Sequence, residues 1–414
     1  MNNLENRRIL IFLRSFDVGG AEKQAAMLAN YLYEKEKAKV AIWAYSEPGP
    51  ILKLLNKNIP WKSVRFDEAS FNRPEERIKD LKKLALKILL FRPDALMPFT
   101  IGPNTDCGCI WRWTLAKTCI WNQRDEWLEF LDNPAKKIEK YGFANTPVFV
   151  SNSKKTREMI LKQLARLKRP VNQVLYIPNA VKLEPAKLSR KEWRKKIQVD
   201  NDSTIVTMVG NLRKDKEHEA LFKAWKLVLD KIKNPSNLFL LLAGRFDNNY
   251  QKLIKLAKDL SIEKQIRFLD YVEDVSGLLH ASDIGVFLSR SEGCPNAVLE
   301  SMEAKLPIVA SNIEANRDII GSNYPYLVSI DKPQEVADSL FELVKNKKLR
   351  ATLSEENYLK IKNKFNPDIV FRKYSSVIQR LIYQYENLIT PKNIFQIIKW
   401  QLSWKRPNLW ESIS

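Results

Sequence analysis

Strand-sized apolar runs alternate with segments of helical periodicity along most of this chain, and that alternation constrains its fold more than any other feature. Residues 8–14, 40–45, 95–99, 118–122, 147–151 and 174–177 read as strands, and residues 21–32, 81–90 and 154–167 carry apolar side chains at helical spacing. A polar, charged stretch follows, from 182 to about 203, and then the pattern restarts. Strands are expected at 203–209, 238–243, 266–269, 283–289 and 307–310, with helices at 218–232, 250–260, 275–280 and around 316. Such alternation predicts parallel sheets covered by helices on both faces. Two blocks of it predict two doubly wound α/β domains facing across a cleft, residues 1–182 and 183–366. Residues 367–414 begin with a helical pattern at 369–385 and are expected to return to the first domain.

The eleven residues Ser291-Glu292-Gly293-Cys294-Pro295-Asn296-Ala297-Val298-Leu299-Glu300-Ser301 follow one of these strands and open a helix, with Pro295 suited to its first turn. Ligands of open α/β sheets bind at the carboxyl ends of strands, and the free N–H groups of a first helical turn hold anions. Carboxylates beside an anion site suit the binding of hydroxyls. Glu292 and Glu300 therefore point to a ligand with phosphate and hydroxyls: a nucleotide, a sugar, or both.

Composition narrows the classes. With 414 residues and 45% hydrophobic content the chain is globular and long enough for two domains. Its formal charge of +21 predicts attraction to anions, from phosphorylated substrates to an anionic membrane surface. Cys107, Cys109, Cys119 and Cys294 lack zinc-site spacing and lie far from His218 and His280, so no metal site is expected. Cys107-Gly108-Cys109 reads as packing beside a strand end, and unpaired thiols fit a reducing cytoplasm. There is no signal-peptide pattern and no apolar run of membrane-spanning length, so any membrane contact is expected to be peripheral, at the inner face. Residues 394–406 mix aliphatics, Trp and basic side chains, which suits either packing on the first domain or a membrane interface.

Four motifs occur in order: Val18-Gly19-Gly20-Ala21-Glu22, Ile177-Pro178-Asn179-Ala180-Val181, Val209-Gly210-Asn211-Leu212-Arg213-Lys214-Asp215-Lys216, and Glu292 to Glu300. Together they resemble retaining glycosyltransferases of the GT-B fold, in the large family 4 group, over residues 8–385. The resemblance implies two Rossmann-like domains, with the acceptor on the first and a nucleotide-sugar donor on the second. It implies metal-independent transfer of a hexose or N-acetylhexosamine, with UDP the expected nucleotide. A lipid-linked saccharide of surface polysaccharide assembly is the expected acceptor, and a small soluble acceptor the alternative.

By this resemblance Glu300 accepts hydrogen bonds from ribose, Glu292 contacts the transferred sugar, and Gly293, Cys294, Pro295 and Asn296 lie along sugar and phosphate. Gly19 and Gly20 approach donor phosphate and acceptor through their backbone, while Glu22 reads as an ordinary first-turn residue. Lys216 matches the lysine that meets the leaving diphosphate. The usual arginine position is Asn211, which leaves Arg213 as the expected guanidinium. Many relatives carry a histidine in the first domain, but this chain has none before His218. Thr100, Arg124 and Asp125 stand at expected strand ends instead, and Arg124 and Asp125 suit a structural ion pair equally.

Three other readings remain open. A nucleic-acid-binding protein would explain the charge but lacks a basic–aromatic motif or recognition helix, so no nucleic acid is expected. A nicotinamide enzyme lacks G-x-G-x-x-G after the first strand. A non-catalytic GT-B assembly partner would explain the missing arginine and histidine.

Overall fold

The computed structural model describes residues 4–64, 74–124, 132–133, 136–168, 173–247 and 249–388. Asp125 and residues 394–406 lie outside the described residues. The chain divides into two compact units. One runs to Ala180 and resumes at Pro367; the other spans Val181–Asn366.

In the first unit the strands are β1 (Arg8–Leu13), β2 (Lys39–Ala44), β3 (Trp61–Ser63), β4 (Ala95–Pro98), β5 (Thr118–Gln123), β6 (Val148–Ser151) and β7 (Val174–Tyr176). They form a parallel sheet in the order β3-β2-β1-β4-β5-β6-β7. Its helices are α1 (Gly20–Glu34), α2 (Pro74–Phe91), α3 (Ile101–Ile110), α4 (Lys137–Asn145) and α5 (Lys154–Arg166). Side chains of a strand alternate between faces, so Ile9, Ile11 and Leu13 of β1 pack with α1, while Leu10 and Phe12 pack with α2.

Cys107-Gly108-Cys109 is not beside a strand end but inside α3, which is buried almost along its whole length. Its polar and glycine-rich sequence has no apolar periodicity because α3 presents no solvent face. It meets α4 backbone to backbone. A Cβ on Gly108 would lie 2.5 Å from the Gly142 oxygen, and one on Gly142 would lie 2.4 Å from the Thr105 oxygen.

The second unit begins with α6 (Arg190–Lys196), then alternates β8 (Thr204–Val209), α7 (His218–Lys231), β9 (Leu238–Ala243), α8 (Tyr250–Asp259), β10 (Ile266–Phe268), α9 (Val275–Ala281), β11 (Ile284–Phe287), α10 (Asn296–Glu303), β12 (Ile308–Ser311), α11 (Glu314–Ile320) and β13 (Leu327–Val328). Helices α12 (Pro333–Lys345) and α13 (Lys347–Lys360) complete it. The sheet is parallel in the order β10-β9-β8-β11-β12-β13.

The last described helix, α14 (Pro367–Leu388), belongs to the first unit. Val370, Phe371, Tyr374, Ile378 and Ile382 form its buried face in the same core as α1. Glu386 ties its end down by accepting from Arg7 Nη1 at 2.7 Å and Lys117 Nζ at 2.5 Å.

The charged stretch after residue 182 is more than a linker. Ser189 and Glu192 form a reciprocal capping box that starts α6. Trp193 and Arg194 of α6 are buried. The Trp193 indole donates to Asp274 at 2.7 Å. The Arg194 guanidinium donates to the carbonyls of Ala281, Asp200, Asn201 and Ser203 and to Asp283 Oδ2 at 2.8 Å. Its charge is thus satisfied by backbone oxygens and one carboxylate, a job no apolar residue can do. Removing one partner of a buried pair leaves the rest unsatisfied. Arg194→Met is expected to destabilise the second unit by about 3 kcal/mol, read as a lower urea midpoint at unchanged slope; an unchanged midpoint would show that the network adds nothing.

Candidate active site

Strand order reverses between β8 and β11, which are paired neighbours. Chains leaving such neighbours diverge and open a crevice at the carboxyl edge of the sheet, where ligands of open α/β sheets bind. The β8 exit carries Gly210 to Lys216 and the β11 exit carries Leu288 to Pro295. Hydrogen bonds tie the two loops together: Ser289 Oγ and the Arg290 N–H both donate to the Asp215 oxygen, at 3.2 and 3.3 Å.

Lys216 forms an ion pair with Glu292 across these loops. Its ammonium also lies 5.2 Å from the ring centre of Phe287, the last residue of β11. Both charged side chains are mostly shielded from solvent. Helix α10 starts directly beyond. Pro295 is its N-cap (φ −72°, ψ 110°), one position earlier than the first-turn place expected for it, and supplies no side-chain cap. Asn296 and Glu300 are four apart and share a helix face, and both are half-buried. Gly293 is half-buried too, while Cys294 packs against the core of this unit together with Ala297.

Arg213 is engaged within its own loop. Its Nε and Nη2 donate to the two oxygens of Asp215 at 2.9 and 2.8 Å. This pairing raises the Arg213 pKa. Burial would raise the Asp215 carboxyl, but Arg213 and Lys216 outweigh it and hold it below the usual range. Asn211, in the expected arginine position, instead accepts from the Arg245 N–H at 3.1 Å. That bond braces the β8 exit against the β9 exit. The two backbones are so close that a Cβ on Gly244 would lie 2.2 Å from the Gly210 oxygen.

Four charged residues of this neighbourhood were not expected from the sequence: Asp215, Glu217, Arg245 and Arg290. Arg290 bridges Glu217 at 2.5 Å and Asp331 at 3.2 Å. The spacing Arg213-x-Asp215 is the one sequence signal that could have found a member of this set.

In the first unit the order reverses between β1 and β4. Gly19 follows β1 as the N-cap of α1 (φ −130°, ψ 172°), and Gly20 opens that helix. Glu22 lies in the first turn, where burial raises its pKa. Thr100 follows β4 as the N-cap of α3 with φ 68° and ψ 162°, a strained conformation for a β-branched residue. Its buried Oγ1 has no hydrogen-bond partner among the described residues. Arg124 follows β5, with its guanidinium 4.8 Å from the Phe99 ring centre. It donates to Asn179 at 3.1 Å, to Asn122 at 3.4 Å and to the Tyr374 hydroxyl. These described partners are all neutral.

Among the described residues no cluster of three or more His, Cys, Asp or Glu could hold a metal ion. Burial pushes the thiols of Cys107, Cys109 and Cys119 well up, as suits packing groups.

His218 begins α7, two residues after Lys216. It is buried, and neither ring nitrogen makes a good hydrogen bond among the described residues. Burial, helped by Lys216, pushes its pKa from 6.5 down to about 4. Between those values the unfolded chain binds a proton that the folded chain does not. Stability is therefore intact above pH 6.5 and falls as pH drops toward 4, by up to about 3 kcal/mol. His218→Leu is expected to flatten this part of the pH–stability curve; an unchanged slope would show that other groups cause it.

Residues 189–360, nearly the whole second unit, match the family model described as glycosyl transferases group 1. A UDP-Gal:alpha-D-GlcNAc-diphosphoundecaprenol alpha-1,3-galactosyltransferase of Escherichia coli is 28% identical over 204 residues, 47% of this chain and 51% of that protein. The capsular polysaccharide biosynthesis glycosyltransferase CapM of Staphylococcus aureus is 19% identical over 246 residues, 59% of this chain and 64% of that protein. The chain thus spans about half to two thirds of the length of these curated relatives. The crystal structure of Anabaena HepE in complex with UDP-glucose superposes with a TM-score of 0.75 at 15% identity, covering 90% of this chain and 99% of HepE. That likeness establishes the fold, two Rossmann-like domains of the GT-B type. The likeness to glycosyl transferases group 1 is thus carried by residues 189–360, and the GT-B fold is shared over 90% of the chain.

Proposed function

We propose that this chain is a retaining glycosyltransferase. It moves a hexose or N-acetylhexosamine from a UDP-sugar to a saccharide acceptor, a lipid-linked glycan of surface polysaccharide assembly at the inner face of the membrane. One observation carries the reading: the Lys216–Glu292 ion pair sits where strand order reverses, beside the start of α10. A cation, a carboxylate and the first-turn N–H groups of a helix within one crevice suit a diphosphate joined to a sugar. The donor class draws support from the UDP-Gal named for the Escherichia coli relative and the UDP-glucose held by HepE. The acceptor class draws it from the diphosphoundecaprenol and capsular polysaccharide named for the two curated relatives.

In this mechanism the acceptor hydroxyl attacks the anomeric carbon from the face that the diphosphate leaves. The new C–O bond forms as the sugar–phosphate bond breaks. The electron pair stays on the phosphate oxygen, which also takes the hydroxyl proton. Lys216, Arg213 and the α10 N-terminus stabilise the growing negative charge, so no metal is required. Arg213 must exchange Asp215 for phosphate to do so. Glu292 then accepts from sugar hydroxyls and Glu300 from ribose. Gly293, Cys294, Pro295 and Asn296 line sugar and phosphate, Asn211 braces the loop, and Gly19 and Gly20 meet the ligand through their backbone. On the acceptor side, Thr100 offers a hydroxyl and Arg124 a guanidinium bonded to neutral oxygens.

Arg213 held by Asp215, with Asn211 in the arginine position, favours a second reading, a non-catalytic assembly partner. Donor turnover separates the two. A screen of sugar nucleotides should give a melting-temperature rise with a UDP-sugar, since ligands of the native state stabilise it; no shift with any sugar nucleotide would overturn the donor reading. Lys216→Ala and Glu292→Ala should each lower kcat by about 10²–10³. Turnover that survives both would move the chemistry elsewhere, and none in the unaltered protein would favour the partner reading. Activity should persist in EDTA, and NMR of the product should show the donor's anomeric configuration; an inverted product would exclude retention.

A further inference from the structure

Helix α2 packs on the first unit's sheet through Ile78, Leu81, Leu84, Ala85 and Ile88. Its opposite face is exposed and, beyond Glu75 in the first turn, carries Lys79, Lys82, Lys83, Leu86, Lys87 and Leu90. Spacings of three and four place these six side chains in one stripe along the helix, about 16 Å long. The two leucines are 58% and 74% exposed, although core contact is the usual fate of leucine on a helix packed against a sheet. Arg92, exposed and with φ 53°, follows the last turn and extends the basic end. Leu115, 56% exposed, closes the short turn Trp111–Thr114 that packs against α2.

We infer that this stripe docks the protein on an anionic lipid surface. Single exposed leucines are ordinary, but here apolar and basic groups are interleaved on one face. The helix's first-turn carboxylates, Glu75 and Glu76, stand at its N-terminal end, and from Lys79 to Leu90 no acidic residue lies within the stripe. Asp80 meets Lys83 at 3.5 Å from the flank of the stripe. Leucine side chains can enter the acyl boundary while lysine stems lie along it and carry their ammonium heads to lipid phosphates. A nucleic acid would use the lysines but gain little from the leucines, and the stripe has no aromatic side chain on which bases could stack. The sequence suggests residues 394–406 for such a role; α2 is a separate surface, some 300 residues earlier in the chain, and it does not depend on the reading of the donor site. No described helix is long and apolar enough to cross a membrane.

The test is co-sedimentation of the full chain with phosphatidylcholine vesicles, with and without phosphatidylglycerol. Binding is expected only with phosphatidylglycerol and should weaken as salt rises. The combined variant Lys82→Glu, Lys83→Glu, Lys87→Glu should lower partitioning about a hundredfold, and Leu86→Ser with Leu90→Ser about tenfold. All five side chains are exposed, so melting temperatures should stay at the unaltered value; if one variant fails to fold, the other still reads the surface. The inference is overturned if the unaltered protein ignores phosphatidylglycerol, or if both variants bind like it, which would move docking to another segment. It is equally overturned if the unaltered protein binds RNA and the lysine variant loses that binding while its vesicle binding stays unchanged.

Discussion

The pairing of β8 with β11 is the constraint on which the second unit depends. Ile284 stands opposite Val206 and Gly285 opposite Thr207. This register brings the ends of two strands that are far apart in sequence to the same edge of the sheet. Gly285 lets α10 approach closely, since a Cβ there would lie 3.3 Å from the Ser301 Cβ. The helix start, Glu292 and Lys216 are consequently positioned by sheet geometry and not by loop length. A loop that carries its charged group directly from a buried strand loses little further entropy when it binds.

Electrostatics then divides the charged groups of the site into two kinds. Lys216 and Glu292 neutralise each other inside a half-closed crevice, where an unpaired charge would be costly. Arg213 and Asp215 are paired closer to solvent, where such a pair contributes little to stability. The exposed pair can open for a phosphate at small cost, whereas the shielded pair holds geometry. His218, uncharged behind Lys216, avoids adding a second positive charge to the buried side of the loop.

Legibility in the sequence follows burial pattern. Strands such as β9 were readable because a strand buried on both faces becomes a continuous apolar run, and Leu238–Ala243 is one. Helix α3 was not, because a helix enclosed on all sides has no solvent face to create an amphipathic period, and Gly108 and Gly142 serve contact rather than periodicity. Helix α6 was hidden because Arg194 looks like a surface charge until its five acceptors are brought around it. Likewise α2 reads as amphipathic, but only its packing reveals that Leu86 and Leu90 lie on the outer face.

By itself the sequence determined the two-block α/β architecture and the strand–turn–helix around Glu292; Lys216 entered only through the resemblance. Periodicity and turn chemistry are local, and local pattern suffices for them. Tertiary structure decided which charges meet. It set Lys216 on Glu292, gave Arg213 to Asp215, used the Asn211 amide to brace a neighbouring loop, and left the Thr100 hydroxyl buried without a described partner. Those outcomes depend on strand order and on distances between residues remote in sequence, which no local pattern encodes.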